Sequence, residues 1–296
     1  MTVNKGARNA FIALLLVALI WGYNWVVMKI ALANSGPIDF SLLRNLFGAV
    51  TLFILMAIRG DSLDLPAARG KVAMLGLLQT TGFVGLIALA LVEGGAGKSA
   101  ILAYTMPFWA LLFGWWHLHE KIRGTQWIAV ALAGLGVLLL VSPWHTDYPF
   151  ESSVYSLLAG LVWGISIIIA KLIPQDRPAA LLSITSWQML IGSLPLAILA
   201  LLVPEMPVNW TPGFVVALAY NAVLGSAVAW LLWLYAVQKL PAGVAGLASL
   251  GAPAVSVLTA WLQLGEVPSV PDAIGMLLIL GAIGLLTLRA LRGRRS

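Results

Sequence analysis

Ten long apolar runs, each ended by a short polar or turn-forming stretch, account for most of this chain. They fall at about 8–33, 37–58, 71–92, 97–116, 124–141, 152–173, 179–203, 213–237, 242–264 and 270–291. A helix needs about 20 apolar residues to cross the ~30 Å hydrocarbon core of a bilayer. The breaks carry turn and helix-start chemistry: Ser35-Gly36-Pro37, Glu93-Gly94-Gly95, Ser142-Pro143, Gln175-Asp176-Arg177-Pro178, Pro204 to Pro212, and Pro268 to Pro271. A membrane β-barrel would alternate apolar and polar residues in short strands, whereas these runs are apolar on every face. The pattern predicts an all-α polytopic membrane protein of ten transmembrane helices.

Composition agrees. Charged residues make up 9% of the chain, against roughly 25% in a soluble domain, and mean hydropathy is +0.97. So few charges cannot cover a soluble surface, which excludes soluble enzymes and nucleic-acid binders despite a net charge of +6. Cysteine is absent, so the redox compartment goes unread.

The charges instead report topology. With the N-terminus placed in the cytoplasm, every Lys and Arg except Lys29, Lys98 and Arg44 falls on the inner side, as the positive-inside rule requires. Lys29 and Lys98 fall outside, and Arg44 lies within the second run near its outer end. Both termini are then cytoplasmic, with a basic tail at 292–296. The first run is about 20 residues of unbroken apolar sequence, longer than the 7–15 of a signal peptide, and reads as a retained helix.

The two halves resemble each other. Ala-Leu-Ile-Trp-Gly at 18–22, followed by Lys29, matches Gly-Leu-Val-Trp-Gly at 160–164, followed by Lys171. Arg44 and Gly48 align with Gln188 and Gly192. Ala96-Gly97, Pro107 and Glu120 align with Ala242-Gly243, Pro253 and Glu266. The expected units are 1–141 and 152–291. Each holds five spans, so the copies must enter the membrane from opposite sides. Such inverted repeats are the plan of secondary transporters.

A five-helix repeat with Trp-Gly in its first helix, Pro in its fourth and Glu at that helix's end resembles the EamA-type branch of the drug/metabolite transporter superfamily. The resemblance spans essentially the whole chain and extends to bacterial exporters of amino acids and related metabolites, of the aromatic amino-acid exporter type. It implies a central cavity lined mainly by helices 1, 3, 4, 6, 8 and 9, and no cofactor.

Several residues are candidates for that cavity. Trp21 and Trp163 sit near mid-span, where an indole N–H needs a partner; they either line a polar cavity or pack between helices. Gly22 and Gly164 suit close helix packing. Asn24, Gln79, Thr80, Ser166, Asn221 and Ser226 supply amides and hydroxyls at mid-depth, with Phe83, Tyr104 and Trp230 as aromatic neighbours. Amides and hydroxyls can hold a zwitterion, and aromatic faces an apolar side chain or a cation; small hydroxyls also satisfy themselves on their own helix. Pro107 and Pro253 are candidate hinges, since proline removes a helical hydrogen bond. No Asp or Glu falls at mid-depth, which weakens a carboxylate proton or sodium relay. There is no phosphate-binding loop for an ATPase and no mid-membrane cluster of Lys and Arg for phosphates.

Repeat symmetry pairs Lys29 with Glu266 at the outer rim and Lys171 with Glu120 at the inner rim, as equivalent ion pairs and candidate gates. Snorkelling side chains solvated at the interface are the simpler alternative. The expectation is therefore a non-enzymatic, multi-pass transporter of a bacterial inner membrane. It would export a neutral or aromatic amino acid by alternating access, in contact with the lipid bilayer, with neither nucleic acid nor an obligate protein partner. A nucleotide-sugar or quaternary-amine carrier is the alternative within the class. A membrane-embedded lipid enzyme and a structural subunit are the alternatives outside it.

Overall fold

The computed structural model describes residues 5–117, 124–141, 149–173, 178–229, 231–232 and 251–292. Among them the ordered elements are all helical. In chain order they are α1 (Lys5–Leu32), α2 (Pro37–Arg59), α3 (Arg69–Glu93), α4 in two segments (Ala96–Ala103 and Met106–His117), α5 (Thr125–Val141), α6 (Phe150–Lys171), α7 (Pro178–Leu202), α8 (from Pro212 into a second turn type at Tyr220–Val228), α9 (Gly251–Leu264) and α10 (Val270–Arg292). Ile12–Leu32, Pro37–Arg59, Arg69–Glu93, Phe150–Ala170 and Leu181–Leu202 are each long and apolar enough to span a bilayer unaided. Ile54, Leu135, Leu194 and Leu277 point outward from the bundle. An apolar exterior of this kind suits lipid and not water.

Local chemistry fixes the helix starts. Pro37 opens α2, where a missing N–H costs nothing, and α2 ends on Gly60 in the left-handed region at φ 69°. Thr211 caps α8 by accepting from the Phe214 amide at 3.1 Å. Ser269 caps the start of α10, its hydroxyl accepting from the Asp272 amide at 3.3 Å and donating to Asp272 Oδ2 at 2.7 Å. Two other caps come from distant loops. Glu205 accepts the Ile38 and Asp39 amides of α2 at 3.0–3.1 Å. Glu266 accepts the Ala96 and Gly97 amides of α4 at 3.0 and 3.2 Å. A carboxylate there satisfies orphan N–H groups and complements the helix dipole.

The packing repeats with the sequence. A Cβ on Gly22 in α1 would lie 2.5 Å from Val255 Cβ and 2.7 Å from the Ala252 carbonyl in α9. One on Gly164 in α6 would lie 2.6 Å from Trp109 Cβ and 3.1 Å from the Met106 carbonyl in α4. Met106 and Trp109 are the repeat counterparts of Ala252 and Val255. The first helix of each half thus packs on the fourth helix of the other. Gly48 of α2 meets Ser226 of α8, and Gly192 of α7 meets Gly76 and Thr80 of α3, in the same exchanged manner. Gly136 and Gly275 bring α5 and α10 into mutual backbone contact.

Two departures from regular helix also recur at matching positions. Gly76–Val84 in α3 and Tyr220–Val228 in α8 are wound as π-helix, a form that clusters at functional sites. No pattern in an all-apolar run announces it. Pro107 corrects the expected mid-helix kink. The α4 helix breaks at Tyr104–Thr105, and Pro107 is the second residue of the new segment. Proline is tolerated in a helix's first turn, so it follows the break instead of bending a continuous rod. Pro253 is buried within α9. Pro195 interrupts the hydrogen bonding of α7.

Candidate functional site

The helices surround a central cavity of about 100 Å³. Its wall draws on α1 (Trp21, Asn24, Trp25, Met28), α2 (Arg44, Asn45), α3 (Gln79, Thr80, Phe83, Val84, Ile87), Tyr104 of α4, Trp163 of α6, Gln188 and Met189 of α7, and Gly225 and Ser226 of α8. Both π-helical segments therefore face the cavity, and so does the break in α4.

One side of the wall is aromatic. Trp163 stands 4.6 Å from Phe83 and 5.8 Å from Tyr104, centroid to centroid, the latter edge-on. Opposite in character is the α1–α8 contact. There the Trp21 indole donates to the Gly225 carbonyl at 2.9 Å, and the Tyr220 hydroxyl donates to the Ile20 carbonyl at 2.9 Å. Trp21 thereby satisfies its N–H on a carbonyl of the other half. Thr80 donates to Gln188 Oε1 at 3.1 Å, joining α3 to α7, and Thr81 donates to the Gly192 carbonyl at 2.6 Å.

Of the residues singled out from sequence, Trp21, Asn24, Gln79, Phe83, Tyr104 and Trp163 all line this cavity. Ser166 does not. It is fully buried and its hydroxyl donates to the Trp163 carbonyl at 2.7 Å, the self-satisfying habit of a short polar side chain in a helix. Trp230 lies outside the described residues. The cavity also takes Arg44, Asn45, Gln188 and Met189 from α2 and α7, two helices missing from the set that the resemblance implied. Their signal was present in the sequence, because the repeat aligns Arg44 with Gln188.

At one end of the bundle Lys29 Nζ lies 3.3 Å from Glu266 Oε1 and also donates to the Gly94 carbonyl. Lys98 pairs with Asp272 nearby at 3.3 Å. Glu120 and the side chain of Lys171 lie outside the described residues. At the opposite end Lys71 donates to the Leu172 carbonyl at 2.7 Å. A smaller pocket there, between α3, α6 and α7, shares Gln79 and Gln188 with the central cavity.

A family model for EamA-like transporters matches residues 8–142 and again residues 152–288. The chain belongs to the EamA-like transporter family. It is a multi-pass membrane transporter, and its relatives are named as transporters or efflux pumps, not enzymes. An uncharacterized transporter of Bacillus subtilis, YoaV, is 27% identical over 92% of this chain and 94% of its own. A probable amino-acid metabolite efflux pump of Salmonella typhimurium is 25% identical over 93% of both chains. The uncharacterized inner membrane transporter YedA of Escherichia coli is 24% identical over 94% of this chain and 90% of its own. A crystal structure at 19% identity superposes with a TM-score of 0.66, covering 96% of this chain and 98% of the other. That likeness bears on the fold alone.

Proposed function

We propose that this EamA transporter exports amino acids, aromatic ones included, across a bacterial inner membrane by alternating access, with both termini in the cytoplasm. The observation that carries the reading is the cavity itself. An aromatic cluster of Trp163, Phe83 and Tyr104 lines the cavity together with the amides of Asn24, Gln79 and Gln188, a surface that offers both an apolar side chain and a polar head their partners. The amino-acid efflux pump among the relatives supports the substrate class. A quaternary-amine carrier suits the cavity less, because no carboxylate lines it among the described residues and an arginine does. A nucleotide sugar would bring two phosphates to that single cation.

Lys29 and Glu266 form the gate at the outer rim in this reading, Glu120 and Lys171 its inner counterpart, and Pro107 and Pro253 flank the moving segments. Counterflow in proteoliposomes tests it. Vesicles loaded with unlabelled L-phenylalanine should accumulate labelled L-phenylalanine from outside, with competition by other neutral amino acids. Absence of exchange for every amino acid in a protein that exchanges another solute would overturn the substrate class.

A further inference from the structure

The chemistry of the cavity wall is uneven in one respect. Arg44 lies about seven residues into α2, roughly 10 Å along the helix axis from Pro37, and it lines the cavity. A guanidinium offers five N–H donors in a planar fork. Here Nη1 is turned to the Met28 sulfur, a weak acceptor, and Nε is sealed from solvent with no hydrogen-bond partner among the described residues. No described Asp or Glu makes a salt bridge with Arg44. Of the polar neighbours on the wall, Gln188 Oε1 accepts from Thr80, Asn45 Nδ2 donates to the Ser41 carbonyl at 2.7 Å, and Asn24 Oδ1 is left without a hydrogen-bond partner among the described residues.

A cation drawn into the bundle without a counter-charge is expensive, and natural proteins pair it or employ it. Salt bridges elsewhere in this chain show the usual arrangement: Lys29 with Glu266, and Lys98 with Asp272. Arg44 stands apart from both, inside the space a solute would occupy. The planar fork is matched by a carboxylate, which accepts two parallel N–H bonds. The repeat counterpart of Arg44 is the neutral Gln188, so the positive charge belongs to one side of the cavity only.

We infer that Arg44 is the carboxylate-anchoring residue of the central cavity, and that the transported solutes carry a free carboxylate. This rests on the cavity's being the substrate site, as proposed above, and it narrows the substrate class to acids. The cationic end of an amino acid would then be held by neutral oxygens and aromatic faces, not by a side-chain carboxylate.

The test uses the full-length protein in detergent and reads ligand-induced thermal stabilisation. L-phenylalanine, L-leucine and L-threonine are each compared with the corresponding amide, and 3-phenylpropionate with 2-phenylethylamine. The wild type is expected to respond to acids at concentrations at least tenfold below those of the matched amides and amines. R44Q should abolish that gap, and R44K, which keeps the charge but loses the fork, should retain part of it. A wild type that responds equally to acid and amide, or to no acid, overturns the inference without needing any variant. So does a folded R44Q that keeps the gap. If 3-phenylpropionate serves as well as L-phenylalanine and depends equally on Arg44, the anchor stands and the amino-acid reading falls.

Discussion

Lys29 Nζ and Glu266 Oε1 lie 3.3 Å apart, yet the carboxylate also caps α4 through the Ala96 and Gly97 amides. Glu266 therefore serves two partners, a side chain of the first half and the helix start that follows Gly95. The two partners can be separated experimentally. Glu266→Ala removes both and is expected to destabilise the protein by about 1–2 kcal/mol, the scale of a helix cap. Lys29→Met leaves the cap in place and removes the partly exposed pair together with the Lys29 hydrogen bond to the Gly94 carbonyl, and should cost less than the cap, about 1 kcal/mol or below. Thermal unfolding in detergent measures both; equal losses would mean that the ion pair, and not the cap, dominates.

The gate proposed for Lys29 and Glu266 can be checked directly because the chain has no cysteine. Cysteines placed at positions 29 and 266 become the only reactive pair in the protein. Bridging them with a short bifunctional thiol reagent should stop counterflow, and either single cysteine with the same reagent should retain it. Full exchange in the bridged protein would show that this end of the bundle does not move during transport.

The exchanged glycine contacts predict a matched pair of defects. Gly22→Ala and Gly164→Ala each place a methyl within 2.7 Å of the facing helix, and overpacking of that kind costs about 1–3 kcal/mol. Gly134→Ala and Gly281→Ala, where an added methyl meets nothing within 4 Å, should leave the melting temperature unchanged or raise it slightly. A Gly22→Ala protein as stable as the wild type would mean that α1 and α9 separate readily.

Trp163 and Ser166 occupy neighbouring turns of α6 but differ in what they touch. Trp163→Leu removes the centre of the aromatic wall, and the KM for an aromatic substrate should rise about tenfold, in keeping with the 0.5–1.5 kcal/mol of an aromatic pair together with its lost contact area. Ser166→Ala deletes a hydroxyl bonded within its own helix and should change KM less than twofold. Initial uptake rates over a concentration series distinguish the two; a larger effect at Ser166 would return it to the site.

The sequence made some of this legible and hid the rest for identifiable reasons. Trp21, Trp163, Gly22 and Gly164 were readable because duplication repeats them, and repetition stands out even in an apolar chain. Arg44 is visible as a charge near the outer end of its run and as a repeat position, but depth along a run does not tell which face of the helix a residue occupies. Gln188 carried the same information through its alignment with Arg44. Ser166 misled because a hydroxyl at mid-depth has two ways to be satisfied, and only geometry chooses between them. The π-helical segments left no trace, because their hydrogen-bond register depends on packing and not on periodicity. Glu205 sits in a proline-rich loop, where nothing in the local sequence points to a helix start 167 residues upstream at Ile38.

The reciprocal docking of first and fourth helices bears on how the molecule is made. While the ribosome is still within the first half, α1 has no α9 to receive the groove at Gly22, and α4 has no α6 to fill the surface at Trp109. Neither half can complete its own interior. The early helices must wait in the membrane as loosely held, separately inserted rods, and the structure closes only after the last spans arrive. A truncated chain is then not a smaller transporter but an unfinished one, and two separately synthesised halves should reach a stable fold only in each other's company.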